Sequence, residues 1–273
     1  MTTPQNSPVY SLPFLYKYGM ILSNDATTPH TLLDVSAGQC RDSQDVIDIT
    51  LGSNNPNLEG GTTSTPLILN SAINGVNGLD TGTIAVSTMY AIYAIADSTY
   101  NNQTACIITL ASNVASGAGP LMPFGYDSSR VIGFWATDAS GYWLAGYYSG
   151  TQNALVFTYD APQATSVTTG AGTSYTAVDL VTLVPPINNL PILIQSNLNA
   201  NAAADTLKMQ GYNSTGDAVT IIAQVAGSTA HIQTVSQVLA QLNATNKHPE
   251  INYKVSSSSD AVALDVAGFY IYP

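Results

Sequence analysis

The chain is 273 residues long, with 45% hydrophobic residues but only 8% charged ones; 17 acids against 6 basic side chains leave a formal charge of −11. An ordinary soluble domain is roughly 25% charged, yet the hydrophobic share excludes intrinsic disorder, which couples low hydrophobicity to high charge. The six cations, Lys17, Arg41, Arg130, Lys208, Lys247 and Lys254, are scattered, which excludes an electrostatic grip on nucleic acid and a polybasic membrane patch.

Residues 1–19 read as an extended arm. Pro4, Pro8 and Pro13 break regular structure, while Val9, Tyr10, Leu12, Phe14, Leu15 and Tyr16 supply apolar and aromatic side chains that a free tail would not carry. Those six are the candidate docking residues, laid against the body of the chain or a partner. The same stretch has neither a basic n-region nor an apolar h-region, so no signal peptide is expected.

From Gly19 onward short apolar runs alternate with turn clusters. YGMILSN, TLLDVSAG, DVIDITLG and PLILN have strand composition, and TMYAIYAIA is a continuous run that predicts a strand covered on both faces. TACIITLAS, SRVIGFWATD, GYWLAGYYSG and NALVFTYD repeat the design, and TDASGYW predicts a hairpin turn. The aromatics vanish over 160–173, which marks an expected boundary. Beyond it LPILIQSNLN, DTLKMQGYNSTGDAVTIIAQV, EINYKV and DAVALDVAGFYIY predict further strands. TAHIQTVSQVLAQLNA is the best helix candidate, with Ile232, Val235, Val238, Leu239 and Leu242 near helical spacing; its β-branched residues and missing cap leave strand equally open. The expectation is an all-β chain of two β-sandwich or jelly-roll-like lobes, 20–159 and 160–273, preceded by the arm.

NGLDTGT, residues 77–83, matches the Asp-Thr-Gly of aspartic proteases. Such an enzyme needs two carboxylates sharing a proton about 3 Å apart, and the chain has one copy, so Asp80 is expected in a turn. His30, His231 and His248 are far apart, and Cys40 and Cys106 lack a zinc spacing; two unpaired thiols are expected, although the two could pair. Asp42, Asp45 and Asp48 lack the glycine of a calcium loop. No catalytic residue, metal or cofactor is expected. The hairpin carrying Trp135, Tyr142, Trp143 and Tyr147 is a candidate sugar-stacking platform, with core packing as its alternative.

The strings YGMILSNDATTPHTLLDVSAGQCRDS, INGVNGLDTGTIA, YAIYAIADS and YDSSRVIGFWATDASGYW resemble a family of virion structural proteins of tailed bacteriophages, the tail-fibre, head-fibre and appendage type. The resemblance covers about residues 18–160, and LDVSAGQCRDS is its most specific part. It implies a non-enzymatic virion component, assembled in the host cytoplasm as a homotrimer and attached by its arm to portal, collar, tail or capsid proteins. A host-glycan-binding module and a capsid decoration protein are the alternatives, and neither nucleic acid nor membrane insertion is implied.

Overall fold

The computed structural model describes residues 16–52, 66–99, 103–151, 154–216, 219–223 and 231–271. Val9, Tyr10, Leu12, Phe14 and Leu15 of the expected arm lie outside them. Tyr16 lies within them, is half-buried, and accepts a hydrogen bond from the Arg41 amide at its carbonyl oxygen.

The described residues are all-β, with eighteen strands and a single six-residue helix. The first strands are short: β1 (Lys17–Gly19), β2 (Leu22–Asn24), β3 (Leu32–Val35), β4 (Gly38–Arg41), β5 (Asp48–Leu51) and β6 (Leu67–Asn70). Longer ones follow in β7 (Met89–Ala96), β8 (Thr104–Leu110), β9 (Ser128–Ala136), β10 (Gly146–Thr151) and β11 (Ala154–Ala164). After β12 (Thr176–Asp179) come β13 (Leu190–Asn199), β14 (Thr206–Gly211), β15 (Val219–Ile222), β16 (His231–Leu242), β17 (Pro249–Val255) and β18 (Ala261–Ile271). The helix α1 (Ala111–Ser116) interrupts the apolar run after β8. It starts at Leu110 with no side-chain cap and stops at Gly117, whose φ of 74° is left-handed, so only its end is signalled in the sequence.

These strands form three antiparallel sheets. β8-β7-β9 and β1-β4-β5 are small. The third is long, ordered β15-β14-β17-β16-β13-β18-β11-β10-β2-β3-β6, with β12 pairing β17. Every residue of β7 is buried, as expected for a central strand with both faces covered. In the C-terminal half, β12, β17 and β14 oppose β16, β13 and β18 as a sandwich. Val178, Ile251, Leu207 and Met209 from one layer, and Ile192, Ile194, Val238 and Leu264 from the other, are 0–1% exposed members of one core. A fully buried side chain of that size contributes roughly 1.5–3 kcal/mol.

An aromatic cluster joins the halves. Phe157 on β11 meets Trp135, Tyr148, Tyr159 and Phe269 at centroid distances of 4.8, 5.1, 4.8 and 4.9 Å. Tyr148 adds two hydrogen bonds, its hydroxyl donating to the Phe134 carbonyl at 2.7 Å and accepting from the Phe134 amide at 2.9 Å. β11 runs through residue 160 while pairing β18, with a register shift between Thr158 and Gln163.

The helix alternative for 229–244 is overturned over its described residues, since His231–Leu242 is a strand paired with β13 over ten residues. The five apolar positions do not share a face. Val238 is buried, while Val235 and Leu239 are 54% and 43% exposed on the opposite side of the pleat.

Candidate functional site

NGLDTGT resolves into a loop clamped along β8. Leu79 bridges Ile108 in parallel, the Asp80 amide donates to the Ile108 carbonyl, and the Asn77 side-chain oxygen accepts from the Cys106 amide at 3.0 Å. Gly78 is required at its position, because a Cβ there would lie 2.4 Å from the Ile73 carbonyl oxygen. The Asp80 carboxylate accepts from the Thr109 hydroxyl at 2.6 Å and from the Leu121 amide at 3.1 Å. It fastens two loops, and among the described residues no second carboxylate is one of its hydrogen-bond partners.

Asp42, Asp45 and Asp48 are also engaged in the fold. One oxygen of Asp42 accepts the amides of Val46 and Ile47 at 2.6 and 3.0 Å, and Arg41 pairs with Asp48 at 3.1 Å. Among the described residues no three His, Cys, Asp or Glu side chains gather as a metal site. Cys40 and Cys106 are both buried and free. Burial pushes the Cys40 thiol up to about 12 and the Cys106 thiol well above its ordinary value.

The four hairpin aromatics do not form one platform. Trp135 is fully buried, with its indole N–H donating to the Leu144 carbonyl at 2.7 Å, and Trp143 is 3% exposed, edge-on to Tyr90 at 5.6 Å. Both therefore pack the core and cannot stack a sugar, which corrects the platform expectation for these two. Among the described residues the Trp143 indole N–H has no hydrogen-bond partner, an omission that costs about 1–3 kcal/mol.

Tyr142 and Tyr147 are exposed, but in different places. Tyr142 sits at the hairpin tip against the His30 ring, centroids 4.7 Å apart. Tyr147 stands on the outer face of the long sheet, opposite Ser23, which in turn pairs with Asp34, and Asp34 with Ile68. An exposed ring, a hydroxyl and a carboxyl thus follow one another across β10, β2 and β3. Desolvation first, and the Asp25 charge second, raise the Asp34 carboxyl above its ordinary value.

Two features carry no signal in the primary sequence. His248 Nδ1 lies 2.6 Å from the Asp179 carboxylate, although 69 residues separate them. His248 also lines a cavity of about 420 Å³ walled by Met89, Leu110, Ala111, Val181 and Pro186. The second is the outer face of the long sheet over β16, β13 and β18. Val235 is flanked by Gln195 and then Asp265, while Gln233 is followed by Asn197 and Ala263. Gln237 lies beside Leu193, and Leu239 beside Pro191. Asp265 is the only ionisable group in these rows, and desolvation raises its carboxyl as well.

No family model matches the chain, and no curated protein does. Among solved structures, a carbohydrate-binding module of Cellvibrio mixtus lichenase 5A in complex with cellotriose aligns at TM-score 0.22 and 10% identity, over 46% of this chain and 85% of that one. An Arthrobacter globiformis isomalto-dextranase complexed with panose aligns at 0.21 and 8%, over 95% of this chain and 32% of that one. The infectious bursal disease virus Gx strain aligns at 0.21 and 10%, over 96% and 74%. Likenesses this remote carry no functional argument.

Proposed function

We propose that the protein is a non-enzymatic virion structural protein of the tailed-phage appendage type, joined to the particle through its N-terminal arm, residues 1–19, and covered in part by sister copies. The observation that carries this reading is the outer face of β16, β13 and β18. There Val235, Leu239 and Leu193 lie among Gln and Asn side chains with one acid and no cation. In a chain of charge −11, a face with a single acid sets little like charge between two copies. Its neutral polar and apolar mixture is suited to burial against another protein. Chain lacking residues 1–15 is expected to fold with an unchanged circular-dichroism spectrum and to be missing from purified particles; incorporation at the normal copy number contradicts the reading.

A second reading rests on Tyr147. The ring is 50% exposed and has the Ser23 hydroxyl and the Asp34 carboxyl beside it, a combination that stacks and hydrogen-bonds a sugar. A glycan array on the intact protein tests it, with Tyr147→Ala expected to remove the signal. Retention of that signal in the variant ends the glycan reading while leaving the appendage reading intact.

A further inference from the structure

The segment after α1 ends in a turn that holds an aromatic ring out in solvent. The Tyr126 amide donates to the Pro123 carbonyl at 3.1 Å, so Pro123–Tyr126 is a hydrogen-bonded turn with Phe124 at its second position. Phe124 is fully exposed, and Leu121, three residues earlier, is exposed as well. The segment is nonetheless fastened along its length. The Leu121 amide donates to the Asp80 carboxylate at 3.1 Å, Met122 packs against the core, and Tyr126 is buried. The Asp127 amide then donates to the Ala96 carbonyl at 3.1 Å, and Pro120 and Pro123 restrict the backbone further. A ring displayed on so constrained a turn has little backbone freedom left to lose on docking. Two acids accompany it, Asp127 three residues on and Asp97 beside Gly125.

The cavity of about 420 Å³ is complementary to such a ring. Most of its wall is apolar, from Met89, Leu110, Ala111, Ala115, Val181 and Pro186. Of the other residues lining it, Lys247 is a cation, His248 is held by Asp179, and none is an acid. Turn and cavity lie at opposite ends of β7: Met89, the first residue of the strand, lines the cavity, whereas the turn is tied to Ala96, the last. At about 3.3 Å per residue those ends are roughly 23 Å apart, so Phe124 cannot reach the cavity of its own chain. We propose that Phe124 of one copy seats in this cavity of a second copy, head to tail, with Asp97 and Asp127 set against Lys247. This contact rests on the sister-copy reading and deepens it. One patch meeting itself across a two-fold axis makes pairs, whereas three chains need two different patches that meet and close into a ring. The ring buries roughly 150–250 Å², where a stable interface needs about 1,200 Å². It therefore sets the register of neighbouring copies, while the outer face of β16, β13 and β18 supplies the area.

The test is photocrosslinking of full chains that carry p-benzoylphenylalanine in place of Phe124, in an equal mixture of isotopically light and heavy protein. Crosslinks are expected to join light to heavy copies and to end at Met89, within 110–116 or within 181–186. Native mass over a dilution series supplies the second readout. Phe124→Ser removes the ring from an exposed position and is expected to raise the concentration at which copies separate at least about tenfold. Ala115→Trp fills the cavity from an exposed position of α1 and is expected to do the same with Phe124 intact. Crosslinks confined to one copy, crosslinks that end elsewhere on the second copy, or an assembly that neither variant weakens overturns the proposal. In each of those cases the sister-copy reading survives if Val235→Asp still separates the chains; a wild type that is always a monomer ends both.

Discussion

Tyr147 stands directly opposite Ser23, and this single register pair carries the long sheet from β10 across to β2. The neighbouring Asn24 makes the join secure. Its amide donates to the Pro29 and Leu144 carbonyls at 3.3 Å each, and its oxygen accepts from the Gly146 amide at 3.1 Å. Asn24→Ala removes all three bonds at once and is expected to destabilise by about 2–4 kcal/mol, read as a lower midpoint in denaturant. An unchanged midpoint means that the sheet is held across this seam by the aromatic cluster alone.

The two tryptophans should respond unequally to the same change. Trp135→Phe loses the bond to the Leu144 carbonyl and ring volume, and is expected to cost about 2–3 kcal/mol. Trp143→Phe keeps an edge-on ring against Tyr90 while deleting an N–H that has no partner. It is expected to lie within about 1 kcal/mol of wild type. Comparable losses in both variants contradict the different surroundings of the two indoles.

Lys17 gives the fold a distinctive alkaline behaviour. Burial, reinforced by Arg130 and opposed by Cys40, lowers its ammonium to about 8 from 10.5. Between those values the unfolded chain holds a proton that the folded chain has released, so this group makes stability rise with pH. Cys40 acts in the opposite direction above 9, because its thiol is raised to about 12. Stability is therefore expected to climb between pH 8 and 9, and Lys17→Met to flatten that slope. A slope that persists in the variant belongs to another group.

Asp34 and Asp265 set the acid side. Both carboxyls are raised above 3.8, so in the window between the raised folded value and 3.8 the folded chain holds more protons than the unfolded one. Each therefore contributes stability as pH falls into that window, and carries a penalty above it. Asp127 runs the other way, its carboxyl lowered chiefly by the Ser98 hydroxyl, so its contribution is lost as pH falls through its folded value. Asp265→Asn is expected to make unfolding less pH-dependent just above 3.8, and to strengthen self-association at neutral pH. No change in either measurement contradicts a desolvated Asp265.

The sheet-forming part of the chain was legible because its strands are bounded by Gly, Asn, Asp and Ser, and because turns such as Asp138–Tyr142 carry their own signal. There the Asp138 carboxylate accepts the Ser140 and Tyr142 amides at 2.7 and 2.9 Å. The strand His231–Leu242 was ambiguous for a physical reason. Val235 and Leu239 put apolar groups on its outer face, which erased the period-two alternation that separates a half-buried strand from a helix. The candidate sites were less legible. Trp135 and Trp143 are as plausible at a surface as in a core until the register places them. The pairing of His248 with Asp179 joins residues far apart in sequence.

The account stands or falls on whether sister copies cover the outer face of β16, β13 and β18. The native mass in solution, measured for the wild type and for Val235→Asp, addresses this most directly. Three chains per particle are expected for the wild type, falling to single folded chains in the variant, whose new carboxylate would sit beside Gln195 and Asp265. A wild type that remains a monomer at the highest attainable concentration, or a variant whose mass is unchanged, contradicts it.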